Sequence, residues 1–146
     1  MLKKVMFACM GNTCRSPMAE YILKGMLEKD GVEGVIVCSG GISAAASASA
    51  TEQAIAVMLE LGADLSPHCS SSAGVFVSDA DLIYCMTAQY AEIIKLLYPE
   101  RAGAVRTLDD TDIDDPYGGT LEQYRQCRDQ IKAAICKIYE NQIINE

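Results

Sequence analysis

Residues Val5 to Glu20 read VMFACMGNTCRSPMAE, and this stretch decides the fold. The apolar run Val5 to Ala8 has the length and composition of a buried strand, and it ends in Cys9. Ser16-Pro17 reads as a helix start, with Ser16 in the N-cap position and Pro17 at the first helical position. Cys9 to Arg15 is therefore a tight loop between the end of a strand and the beginning of a helix. Backbone N–H groups converge at such a place, and the helix dipole there favours an anion.

A Cys-x5-Arg-Ser loop in that setting is a phosphate cradle with a nucleophile at its floor. The amides of Met10, Gly11, Asn12, Thr13, Cys14 and Arg15 can turn inward as a nest around a tetrahedral oxyanion. Arg15 adds a planar fork that bonds two phosphate oxygens at once. The positive surroundings favour the Cys9 thiolate, which is the attacking form. Gly11 and Asn12 are residue types that tolerate left-handed backbone. The plain alternative is that Cys9 and Cys14 are packed thiols. The strand and helix signals, the Gly-Asn pair and the Arg-Ser-Pro ending favour the cradle instead. No second Cys or His pair has the spacing of zinc ligands.

Outward from this loop the chain alternates. Met18 to Lys29 carries apolar residues at helical spacing and stops near Asp30-Gly31. Val35 to Cys38 is a second buried strand, ending at Ser39-Gly40-Gly41. The Ala/Ser tract Ser43 to Ala50 reads as a loop leading into a helix over Thr51 to Leu61, closed by Gly62. Asp81 to Cys85 is a third strand, Thr87 to Leu97 a helix, and Val105 to Leu108 a short extended piece. A long helix runs from Gly119 to about Tyr139. Strands alternating with helices imply an α/β fold, a parallel sheet with helices on both faces. Ligands bind such sheets at the carboxyl ends of the strands, where Cys9 lies.

The motif CMGNTCRSPMAE resembles the signature of the low-molecular-weight protein tyrosine phosphatases. That family also contains protein arginine phosphatases and thioredoxin-coupled arsenate reductases. The resemblance spans nearly the whole chain. It implies one phosphatase domain, residues 1–146, built as a single doubly wound four-stranded sheet.

Composition agrees with a compact enzyme. The chain has 146 residues, half of them hydrophobic, enough for a sizeable core. A net charge of −8 argues against nucleic acid and requires the phosphate site to be positive against the overall field. No apolar run approaches the roughly 18–20 residues of a membrane span, and no signal-peptide pattern opens the chain. Seven cysteines without a secreted scaffold's spacing read as reduced thiols in the cytoplasm, with Cys38, Cys85 and Cys136 in the core. The expected partners are phosphorylated proteins, not nucleic acid or membrane. The oligomeric state stays open, with a monomer favoured. No cofactor and no metal is called for.

A nucleophile needs a proton donor for its leaving group, and Asp115 in Asp114-Asp115-Pro116-Tyr117-Gly118-Gly119 is the candidate. From the residues alone, this could equally be an acidic turn before a helix. The resemblance selects Asp115, since the family's Asp-Pro-aromatic loop carries its general acid; Asp112 and Asp114 read as solvated. The single histidine, His68, reads as structural. By the same resemblance it braces Asn12 together with Ser16 and Ser39, and Ser16 also bonds the thiolate. Departures are Ser39-Gly40-Gly41, where the family usually has Ser-Ala-Gly, and the tract Ala44 to Ala50, which lacks the usual Gly and Pro.

Double displacement follows: Cys9 attacks phosphorus, Arg15 and the amides hold the equatorial oxygens, and Asp115 serves as acid and then base. Three substrate classes compete. The family's tyrosine phosphatases usually carry Ile where this chain has Thr13, and often a second aromatic where Gly118 follows Tyr117. Its arginine phosphatases resemble the chain at both points, so phosphoarginine is favoured over phosphotyrosine, with Thr13 and Tyr117 as selectivity residues. Arsenate reduction needs a cysteine on a segment after Cys85, and none occurs between Met86 and Gln126. A non-catalytic phosphate-binding module would leave the Cys9 and Asp115 pair without purpose. Cys14, in the same loop as Cys9, is the expected redox partner.

Overall fold

The computed structural model describes residues 2–144. Four strands, β1 (Lys3–Cys9), β2 (Val35–Gly41), β3 (Leu82–Cys85) and β4 (Val105–Thr107), form one parallel sheet in the order β2-β1-β3-β4. β1 is central, and Val5 to Ala8 are fully buried, as a continuous apolar run in a two-sided sheet requires. Between them lie α1 (Arg15–Lys29), α2 (Glu52–Leu59), α3 (Ala88–Leu97) and α4 (Leu121–Ile138). The crossovers β1-α1-β2 and β3-α3-β4 run in opposite directions across the sheet. With the usual right-handed connection, α1 and α3 therefore cover opposite faces. The strand order reverses at β1, so Cys9 emerges at the switch point, level with Gly41 at the end of β2.

Several boundaries differ from the sequence expectation. α1 begins at Arg15, with Cys14 in the N-cap position and no side-chain cap, so Ser16 and Pro17 lie inside the first turn. The first helical N–H groups have no intrahelical acceptor, so Pro17 loses nothing there, and the Ser16 hydroxyl is committed elsewhere. β2 continues through Gly41 and is an edge strand, which leaves Ile36 41% exposed. α4 starts at Leu121 because Thr120 and Gln123 form a capping box, and it passes into a π-helical segment, Tyr139–Ile144. Cys85 is buried as expected, whereas Cys38 is half-buried and Cys136 is exposed. The inward stripe of α4 runs through Tyr124, Cys127, Ile131, Ala134, Ile135 and Ile138, and Cys136 falls off it.

The Ala/Ser tract is a loop, pinned rather than loose. Ala48 N–H donates to Ser70 Oγ (2.8 Å), Ser70 Oγ donates to the Ala45 carbonyl, and Ser49 bridges Cys69. Thr51 caps α2 by accepting from Ala54 N (3.2 Å), and its own N–H donates to the Thr13 carbonyl (2.9 Å). The second wall of the cradle is thus tied to the loop it encloses.

Candidate active site

Cys9 sits at the end of β1 and is 1% exposed. Its sulfur lies 2.8 Å from Ser16 Oγ and 3.3 Å from the Asn12 amide, which donates to it. Both contacts suit a thiolate, since a hydroxyl and an N–H are donors to the charged form.

Asn12 holds the loop's shape. Its φ of 56° lies in the left-handed region, sparsely populated for a side chain larger than Gly, and the surroundings fix it there. Its Nδ2 donates to Ser16 Oγ (2.8 Å) and Ser39 Oγ (2.9 Å). Its Oδ1 accepts from Ser71 N (2.9 Å), and its carbonyl pairs with His68 Nε2 (2.8 Å). Ser39 donates onward to the buried carboxylate of Glu20 (2.5 Å), which Lys24 pairs at 2.5 Å. Asn12, Ser16, Ser39 and His68 therefore meet in one hydrogen-bonded cluster. Ser71 and Glu20 also belong to the brace; neither carried a signal in the sequence.

The glycine pair ending β2 has a steric cause. A Cβ on Gly41 would lie 2.7 Å from the Met10 carbonyl and 3.0 Å from Asn12 N. One on Gly40 would lie 2.8 Å from Ala73 Cα. Ala at position 40 would collide with backbone here, so the departure to Ser39-Gly40-Gly41 belongs with the close approach of the 71–73 segment.

Arg15 is 2% exposed. Its Nη1 donates to the Ile113 carbonyl (2.9 Å) and its Nη2 to Tyr90 Oη (3.0 Å), with the Tyr90 ring centroid 5.2 Å from Cζ. Nε is buried with no acceptor among the described residues. A buried guanidinium N–H without a partner is costly, so a site that leaves one free is built for an anion. Burial works against the Arg15 charge, but Tyr90, Cys9 and Asp115 together hold its pKa above the ordinary value.

Asp115 approaches from the loop before α4. Its Oδ2 lies 3.5 Å from Arg15 Nη2, and its Oδ1 accepts from Cys14 Sγ at 3.5 Å and from Tyr117 N at 3.1 Å. The side chain is 45% exposed, so it faces both the loop and solvent. Burial, with Cys9 and Asp115 adding to it, pushes the Cys14 thiol up, which keeps that sulfur a donor. Asp112 is not simply solvated, contrary to expectation: its carboxylate accepts from Ala88 N (2.9 Å) at the amino end of α3, where the dipole favours it. Asp114 is exposed. Tyr117 is 71% exposed at the rim, and Thr13 is half-buried in the loop. A cavity of about 460 Å³ runs beside Asp114, Asp115 and Tyr117 toward Gln126 on α4.

No cluster of three or more metal-ligating side chains occurs among the described residues. Cys85 is buried at the end of β3, and burial pushes its thiol up to about 12, which makes it a poor redox thiol.

A family model described as low molecular weight phosphotyrosine protein phosphatase matches residues 4–146. The chain is 34% identical over 134 residues to a protein-arginine-phosphatase of Bacillus subtilis (strain 168), covering 88% of this chain and 89% of the relative. It is also 34% identical over 139 residues to EpsP, a probable low molecular weight protein-tyrosine-phosphatase of Ralstonia nicotianae, covering 92% of each. Among solved structures it resembles a cysteine-to-serine mutant of the YwlE arginine phosphatase bearing a phosphorylated active-site serine. That likeness has a TM-score of 0.88 at 31% identity, and it covers 97% of this chain and 99% of the other.

Proposed function

The chain belongs to the low molecular weight phosphotyrosine protein phosphatase family, and from that membership we propose that it is a protein-arginine phosphatase working through a phosphocysteine. The observation that carries the substrate assignment is Thr13, half-buried in the phosphate loop where a bulky apolar side chain would suit a phenyl ring. A hydroxyl there can bond a polar group or the attacking water. The likeness to relatives named as arginine phosphatases supports the same choice.

In the proposed cycle the Cys9 thiolate, held by Ser16 and the Asn12 amide, attacks phosphorus in line. The P–N bond breaks as the S–P bond forms. Arg15 Nε and the loop amides carry the equatorial oxygens, whose charge spreads in the transition state. The protonated Asp115 carboxyl gives its proton to the leaving guanidine nitrogen, so the product departs as a guanidinium and Asp115 is left as the carboxylate. It then takes a proton from the water that attacks the phosphocysteine, releasing phosphate and restoring the thiolate. Phosphorylated proteins are the substrates, and the acidic chain suits the basic guanidinium product.

Phosphotyrosine is the second reading, favoured by Tyr117, whose exposed ring can stack on a phenyl group at the rim. Hydrolysis of phosphoarginine and phosphotyrosine peptides side by side separates the two. Thr13→Ile should then move the selectivity ratio toward phosphotyrosine by at least about tenfold, within the roughly 10–200-fold that a pocket change of this size commands. A wild type that prefers phosphotyrosine, or a ratio that Thr13→Ile leaves unmoved, overturns the arginine assignment.

A further inference from the structure

Arg15 is aimed by the first turn of α3. Two of its three guanidinium nitrogens are already engaged by protein, Nη1 by the Ile113 carbonyl (2.9 Å) and Nη2 by Tyr90 Oη (3.0 Å). These contacts fix the plane of the fork about its long axis and leave Nε as the nitrogen without an acceptor among the described residues. Tyr90 contributes twice, through the hydroxyl oxygen and through a ring whose centroid is 5.2 Å from Cζ.

Tyr90 is itself held firmly. It is 9% exposed, and its N–H donates to Thr87 Oγ1 (3.1 Å), the side chain that caps α3. The same helix end takes the Asp112 carboxylate on Ala88 N (2.9 Å). Ile113 follows Asp112 and donates its N–H to the Met86 carbonyl (2.9 Å). Both contacts on the Arg15 fork therefore trace back to residues 86–90. A phenol that only filled the core would need no polar partner at Arg15, and a Phe would occupy the same space.

We propose that Tyr90 is a positioning residue for oxyanion binding: its hydroxyl accepts from Arg15 Nη2 and turns the guanidinium so that Nε meets the phosphoryl group. This rests on the reading of Arg15 as the phosphate ligand. Of the two, Arg15 touches the substrate and Tyr90 acts through it. The hydroxyl matters because the guanidinium N–H groups lie in one plane and Nε points at an oxyanion only at one rotation, and a hydrogen bond to a charged group fixes that rotation at about the energy of a tenfold change in binding.

The test is a double-mutant cycle read by inorganic vanadate binding and by kcat and KM on an aryl phosphate. Tyr90→Phe keeps the ring, and Asp115 remains 3.5 Å from Arg15 Nη2, so the chain should still fold, with a modestly lowered thermal midpoint. Vanadate affinity should fall about tenfold, and kcat should fall by more than KM rises. In an Arg15→Lys chain, which has no fork to aim, adding Tyr90→Phe should change either quantity by less than about twofold. Equal losses from Tyr90→Phe in both backgrounds, or none in the wild-type background, overturn the proposal. Vanadate binding and turnover that survive Arg15→Lys unchanged overturn the reading of Arg15 itself. Tyr90→Leu, which also removes the ring, should weaken vanadate further. Should it fail to fold, the Tyr90→Phe comparison decides alone.

Discussion

The two loops that meet over the sheet are built in opposite ways. The phosphate loop, Cys9 to Arg15, has its Asn12 held by four neighbours, its arginine by two, and Cys9 buried at the floor. The acid loop before α4 lies largely in solvent. Asp115 is tied by a weak thiol donor, a long ion pair and the N–H of its near neighbour Tyr117, whose ring stands exposed at the rim. The contrast matches two chemical needs of the proposed cycle. Charge stabilisation works through donors fixed before the reaction begins. A group that acts first as acid and then as base must meet a leaving group and afterwards a water, so it profits from access to solvent.

The largest expected effect lies on the rigid side. Cys9→Ser should abolish turnover while leaving vanadate or phosphate binding measurable, since the cradle and Arg15 remain. Appreciable activity in a correctly folded Cys9→Ser protein would remove Cys9 from the nucleophile's role.

Oxidation should silence the same side reversibly. Peroxide converts the Cys9 thiolate to a sulfenic acid with loss of water or hydroxide. The Cys14 thiol then attacks that sulfur, expelling a second water and forming the Cys9–Cys14 disulfide. The expected outcome is complete inactivation that thiol reverses, with the linked peptide visible by mass spectrometry. Equal recovery in Cys14→Ser, with no bridge detected, removes Cys14 as the partner.

On the exposed side the expected loss is smaller and depends on the substrate. Asp115→Ala should lower kcat by about 10²–10⁴ for poor leaving groups, the range of general acid catalysis, and much less for an activated aryl phosphate. A loss independent of leaving group would make Asp115 a binding residue instead. The smallest effect tests the wall behind the rigid loop. Gly41→Ala must displace the Met10 carbonyl or the Asn12 amide, at a cost of about 1–3 kcal/mol. Its thermal midpoint and vanadate affinity should fall together. An unchanged affinity in a destabilised protein would show that the loop keeps its form without that wall.

The same contrast governs what could be read in advance. The strand, loop and helix of residues 5–29 were legible because apolar runs, Gly-Asn and Arg-Ser-Pro are local signals. Ser16 differs from its expected place as a cap for a local reason too. A serine before proline has the cap's composition, and only the folded chain shows its hydroxyl spent on Cys9 and Asn12. The roles expected of Ser39 and His68 came from the family pattern, since nothing nearby in sequence marks them. Tyr90, Ser71 and Glu20 went unread, because a tyrosine, a serine or a glutamate in an ordinary helix or loop carries no mark of the partner it will meet. Cys136 lies in an apolar run whose composition suggests core, but a helix buries only one stripe of such a run.

Asn12 and Arg15 are shaped by residues far along the chain. Asn12 meets partners 27, 56 and 59 positions away, and Arg15 meets partners 75 and 98 positions away. Closing loops of that length costs entropy before any contact rewards it, and parallel strands add the same burden. A nascent or partly refolded chain can therefore hold its helices and β1 while the Cys9–Arg15 loop is still unshaped. Refolding from denaturant should recover the helical signal before it recovers vanadate binding. Hydrolytic power then arrives only with the complete molecule, so an unfinished chain carries a cysteine but no phosphatase.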